Sequence, residues 1–207
     1  MFALVENNQF VRIVNSNKGI EINGVQYPKT IFTLWTEAER NAIGIYEITV
    51  DNTNKKDEEY YINTDITYTF ANNSVTGSYG TATAKPLTDV LWAEGDEGMP
   101  SDAEVGDIKS YGLKGICKRK VNAQAGSLLA KYDWYVIRKQ EDSTATIPSN
   151  ISTYRTNVRA KANEMCTQID GASDVDALKA LYEYTNTGPE ESPVFTRPLA
   201  EFPEEIE

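Results

Sequence analysis

The sequence predicts an α+β protein: a small antiparallel β module with one short helix, then an antiparallel helical hairpin, a short third helix and an extended Pro/Glu-rich tail. Three observations carry this reading. Over residues 1–87 the apolar residues alternate in short runs separated by asparagine-rich turns. Over residues 107–188 they recur instead at intervals of three and four, the spacing of one helix face. Residues 189–207 carry four prolines and six glutamates and fit neither pattern, while residues 88–106, broken by Gly95, Gly98, Pro100 and Gly106, read as a linker between the two halves.

In the first half, residues 2–5 and 10–14 flank Glu6-Asn7-Asn8-Gln9 as a hairpin. Asn23-Gly24 is a stronger signal, because both residues accept the left-handed backbone that a tight hairpin turn requires. Asn72-Asn73 is a third, weaker turn between residues 66–70 and 75–79. Thr36 and Glu39 match a capping box, so one helix is expected from there to Ile43, with Gly44 as its left-handed end and Trp35 pinning its start. A strand over residues 45–50 follows. The carboxylates and amides of residues 51–59 lack the ligand spacing and turn glycine of a calcium loop and read as a surface loop. Tyr60, Tyr61, Tyr68 and Tyr79 are expected to line sheet faces.

In the second half, Leu113, Cys117, Val121, Ala125, Leu128 and Tyr132 share one face of a first helix. Gly112, Gly115 and Gly126 each weaken it by ~1 kcal/mol relative to alanine, so packing has to hold it. Residues 133–137, DWYVI, are aromatic and β-branched and read as a turn or short extended piece. Pro148 suits the first turn of a second helix, whose inner face is Ile151, Tyr154, Val158, Ala162, Met165 and Ile169 and which Gly171 ends. Ser173 is expected to cap a third helix with Val175, Leu178 and Leu181 inward. Antiparallel packing of the two long helices sets Cys117 and Cys166 at similar height, and both are expected as buried free thiols. The tail is either a disordered acidic segment or a strap lying on the basic helix or a partner, with Val194, Leu199 and Phe202 as its apolar residues.

Charge narrows the function. The formal net charge is -11, against nucleic acid or anionic membrane as a partner. Residues 109–139 hold eight bases and one acid, a local +7 that leaves -18 to the rest, which suggests self-association or an acidic partner if it is more than a solvated helix face. The chain has no histidine, so the commonest general base and metal ligand are missing, and neither phosphate-binding glycine motif occurs. No enzymatic activity, cofactor or metal is expected. No apolar run reaches the ~18 residues of a membrane span and no signal-type segment stands at the start, so synthesis and residence in a reducing cytoplasm are expected.

Binding surfaces concentrate their energy in aromatic residues and arginine. The candidates are Trp134, Tyr135, Arg138, Arg155 and Arg159, with Trp35 on the β module for a weaker glycan-binding alternative. The competing reading of Trp134 is a plug in the core of the helical hairpin.

These residues fall inside a larger pattern: Leu128-Leu129, Asp133-Trp134, Arg138, Glu141, Ile147-Pro148, Tyr154-Arg155 and Arg159. The pattern resembles the tail assembly chaperones and tail-fibre-associated virion proteins of tailed bacteriophages. The ending RPLAEFPE is similar to the proline-aromatic-proline strap of such chains, with Phe202 where tryptophan is frequent. The start is similar to the N-terminal module of phage virion proteins, through Trp35, Glu39 and Ile43-Gly44-Ile45-Tyr46. Residues 108–125 depart from the pattern. The resemblance covers about two thirds of the chain and implies a non-enzymatic structural component of the virion tail, at the fibre or baseplate, assembled in the bacterial host cytoplasm. The partners it implies are other phage tail proteins, with self-association beside them. Its alternative is a dissociable fibre-assembly chaperone.

Overall fold

Left-handed asparagines fold back the strands of the N-terminal part. The computed structural model describes residues 1–206 and divides into two compact units, residues 1–84 and residues 85 onward. In the first, β1 (Phe2–Glu6) and β2 (Gln9–Val14) turn at Asn7 and Asn8, with φ of 52° and 60°. β3 (Ile20–Ile22) and β4 (Val25–Tyr27) turn at Asn23-Gly24, φ 50° and 79°. A four-residue helix, α1 (Ile31–Leu34), precedes the expected one, α2 (Glu37–Ala42). It escapes sequence reading because one turn carries no periodicity, yet its Ile31 and Phe32 are core residues. In α2 the capping box is complete: Glu39 N–H donates to Thr36 Oγ1 at 3.3 Å, and Thr36 N–H donates to the Glu39 carboxylate at 2.8 Å. Gly44 follows at φ 80° and approaches β1 so closely that a Cβ would stand 2.5 Å from the Val5 carbonyl oxygen.

β5 (Ile45–Asp51), β6 (Tyr61–Ile62), β7 (Ile66–Ala71), β8 (Ser74–Tyr79) and β9 (Thr83–Ala84) complete this unit. Its main sheet has the order β2-β1-β5-β8-β7. The expectation of a purely antiparallel module needs correction here. β5 pairs with β8 in parallel, Ile48 opposite Val75 and Val50 opposite Gly77, since residues 52–73 carry the chain back before β8 joins. The sheet curls until its two edge strands approach each other, where Phe10 of β2 stacks on Tyr68 of β7 with ring centroids 4.9 Å apart. Its two faces bury different clusters. Ala3, Val5, Ile48 and Val75 pack with Phe10, Tyr46, Tyr68 and Phe70, and Leu4, Val14, Ile45 and the β3–β4 hairpin pack with Ile31 and Phe32. β1 is therefore covered on both sides.

In the second unit, the segment expected as a linker is built into the structure. β10 (Val90–Leu91) pairs antiparallel with β11 (Ile108–Ser110), and the Lys109 ammonium lies 4.5 Å from the Trp92 ring centroid. Residues 86–89 satisfy backbone donors at the start of α3 (Leu113–Ala130), where Leu113 N–H donates to the Pro86 carbonyl, Lys114 N–H to that of Leu87 and Gly112 N–H to Asp89 Oδ1. This explains Gly115, where a Cβ would collide with the Asp89 carboxylate at 2.2 Å.

After α3 come α4 (Asp133–Glu141), α5 (Ser149–Gly171) and α6 (Val175–Ala180), then a small pair, β12 (Thr185–Asn186) with β13 (Phe195–Thr196). α3 and α5 run antiparallel, as expected: Lys118 at one end of α3 pairs with Asp170 at 2.8 Å, and Leu129 at the other accepts from Arg155 at 2.8 Å. All six residues assigned to the inner face of the second long helix are buried. Asp174, not Ser173, caps α6, accepting from Ala177 N–H at 2.8 Å, and this bond holds its carboxyl below the usual aspartate range. Cys117 is buried, whereas Cys166 is half-exposed, its thiol pushed up by desolvation.

The tail is a strap. Leu199 is 1% exposed, its N–H donates to the Leu181 carbonyl at 2.9 Å, and Gln168 bonds the backbone on both sides of it, at Pro198 and Ala200.

Candidate protein interface

The connection between α3 and α5 was expected to be extended, and it is helical. α4 holds DWYVIRKQE, whose Val136 and Ile137 favour strands when taken alone. Charge placement favours the helix: Asp133 sits in its first turn, at the positive end of the backbone dipole, and Arg138 and Lys139 sit in its last. The signal is in the sequence but is outweighed there by the β-branched pair.

The root of α4 is clamped from two directions. From α5, the guanidinium of Arg155 reaches the end of α3, donating to the Leu129 carbonyl at 2.8 Å and pairing with Asp133 at 2.8 Å. Arg155 is 7% exposed. From the strap, Glu205 grips Lys131 through both oxygens at 2.6 and 2.8 Å, and Tyr132 OH donates to the Ile206 carbonyl at 3.1 Å. The hydrogen bond to Glu205 raises the pKa of Lys131. The ring of Tyr132 meets that of Tyr154 edge-on at 5.5 Å.

Beyond this root, α4 has no fully buried residue. None of its nine residues is buried, and its apolar side chains stand in solvent, Trp134 49% exposed, Val136 42% and Ile137 57%. A helix this short is marginal in water without a packed face.

The six residues singled out in sequence therefore separate. Trp134, Tyr135 and Arg138 lie together on α4, with the two aromatic centroids 3.7 Å apart and Arg138 making no ion pair among the described residues. Arg155 is a buried clamp and is unavailable to a partner. Arg159 is exposed one turn further along α5 and donates to the Arg155 carbonyl at 3.4 Å. Trp35 belongs to the other unit, half-buried against its core and edge-on to Tyr27 at 5.9 Å. Val136 and Ile137 were missed, because an extended reading sends them to opposite faces of a strand. Trp134 does not plug the hairpin core.

The basic stretch also changes meaning. Lys109 pairs with Asp96, Lys118 with Asp170 and Lys131 with Glu205, and Lys114 donates to the Asp170 carbonyl. Much of the local positive charge is thus matched within the unit rather than offered outward. Among the described residues no group of three or more His, Cys, Asp or Glu is placed to hold a metal ion, and no helix is long and apolar enough to cross a membrane.

No protein-family model matches the chain, and no curated protein or solved structure is significantly similar to it.

Proposed function

We infer that this chain is a non-enzymatic structural component of a tailed phage virion, at the tail fibre or baseplate, that works by protein–protein binding. The observation that supports binding is α4: nine residues, none buried, presenting Trp134, Val136 and Ile137 on a root clamped by Arg155 and Glu205. A rigidly held aromatic residue in an apolar surround is the usual centre of a binding hot spot. The virion setting rests on the sequence pattern around residues 128–159 and the strap. Mass spectrometry of purified particles tests it, and absence of the chain from mature virions overturns it.

A dissociable fibre-assembly chaperone is the second reading, favoured by the same exposed helix, since a surface covered only transiently has to tolerate water in between. Under this reading, co-expression raises the yield of soluble, trimeric fibre. Unchanged fibre yield without the chain sinks it.

A further inference from the structure

The strap is held by two unlike sets of contacts. Its inner part is anchored: Leu199 is 1% exposed and bonded to the Leu181 carbonyl, and Gln168 fixes the residues on either side of it. Its tip, residues 202–206, has no buried residue and makes no backbone–backbone hydrogen bond among the described residues. The polar ties of the tip are the half-exposed Glu205–Lys131 ion pair and the bond from Tyr132 OH to the Ile206 carbonyl. An ion pair that open to water contributes little and is weakened by salt. What lies under the tip opposes closure. Tyr154 of α5 is 3% exposed, and its hydroxyl has no hydrogen-bond partner among the described residues. It lines a cleft of about 400 Å³ with Asn150, Asn157, Pro203 and Ile206, so the tip lies along this space without filling it. Burial pushes the Tyr154 phenol up. A buried hydroxyl without a partner is a cost that water relieves on opening, and it is of the same small scale as the ties that close the tip. Both attachment points, Lys131 and Tyr132, immediately precede α4, and Tyr132 is its N-cap residue.

We propose that residues 202–206 form a salt-releasable latch on the root of α4, closed at low ionic strength with Glu205 on Lys131 and opening, with Leu199 still seated, when salt screens that pair. The latch regulates the binding surface argued above and rests on that reading for its role. Closed, it fixes Tyr132 and with it the start of the helix that presents Trp134. Open, it leaves Arg155 to hold the root through Asp133 and the Leu129 carbonyl, and the first turn of α4 frays. A partner that grips α4 binds the closed form more tightly, because less of the helix remains to be ordered on binding.

Amide hydrogen exchange over residues 133–141 of the full chain, followed from about 0.05 M to about 0.5 M NaCl, tests the latch without any partner. Exchange in α4 is expected to quicken about threefold across that range, while the middle of α5, residues 158–165, stays unchanged. Glu205→Gln exchanges at low salt as the wild type does at high salt and has lost the salt response. Tyr154→Phe acts in the opposite direction: without the hydroxyl, closure is favoured, and exchange in α4 slows about threefold. Arg155 is in place in both variants, so neither result reports on the buried ion pair. A wild-type α4 insensitive to salt overturns the proposal, as does a Glu205→Gln chain that keeps the salt response. A Tyr154→Phe chain of native circular dichroism whose α4 exchanges no slower than the wild type overturns it too. Where Tyr154→Phe disturbs the fold, Lys131→Gln repeats the test from the other side of the ion pair, and a retained salt response there again overturns the latch. If the latch behaves as described but the chain is missing from mature particles, the latch stands and the tail-component reading falls. If the chain is in the particles but α4 ignores both salt and Glu205→Gln, the latch alone falls.

Discussion

α2 and α4 are both short helices without a single buried residue, and they stay folded for opposite reasons. α2 is polar, EAERNA, and supplies its own ends: Thr36 and Glu39 close the capping box, while Gly44 turns the chain away after it. α4 carries Trp134, Tyr135, Val136 and Ile137 beside five charged or polar residues, has no side-chain cap, and is held by residues distant in sequence, Arg155 and, through Lys131, Glu205. The difference teaches how to read exposure. A polar helix with complete caps is held by its own sequence, whereas one that exposes large apolar side chains is held in place by distant residues at its root.

Substitutions at each helix put that contrast at risk. The largest effect is expected at the end of α2. Gly44→Ala forces a Cβ onto the Val5 carbonyl at a left-handed backbone position, and should lower the stability of the first unit by about 3 kcal/mol in denaturant titration. Next comes the root of α4. Arg155→Ala removes a buried ion pair and a charged hydrogen bond, and a loss of about 2 kcal/mol is expected, less than for a fully buried pair because Asp133 is half open to water. Hydrogen exchange over residues 133–141 should quicken selectively in that variant. Uniform quickening across the second unit would show that α4 is not the element Arg155 holds.

Thr36→Ala should cost about 1 kcal/mol and leave α4 untouched. The same box has a pH signature. The Thr36 backbone and hydroxyl donors hold the Glu39 carboxyl below its ordinary value, so its contribution is present above the unfolded-state pKa and is lost as pH falls through the lower folded one. Acid titration of the wild type against Glu39→Gln, followed by circular dichroism, should show the two converging only at the acid end. The smallest effect on stability belongs to Trp134→Ala, within ~0.5 kcal/mol as for other surface changes. A large loss of stability in this variant would contradict the exposed placement of the ring.

What could be read in sequence followed locality. The Asn7-Asn8, Asn23-Gly24 and Asn72-Asn73 turns, the Thr36–Glu39 cap and the buried stripe of α5 are each specified by residues a few positions apart, and all are present. The parallel pairing of β5 with β8 was not legible, because nothing within either strand records the direction of its neighbour. The lysines of α3 and its end looked like an outward basic face because their acidic partners stand far away, Asp170 52 residues from Lys118 and Glu205 74 residues from Lys131. In the candidate site, Trp134, Tyr135 and Arg138 lie together on α4. Arg155 was misread because an arginine's burial depends on what α3 and α4 place around it.

The stacking of Phe10 on Tyr68 has a consequence for crowding. Where many copies of a chain gather, an open strand edge is a row of backbone donors and acceptors on which a neighbouring sheet can extend. Curling brings the two rims of this sheet towards each other and lays aromatic rings across the gap. The N-terminal unit is thereby made a poor template for runaway strand addition.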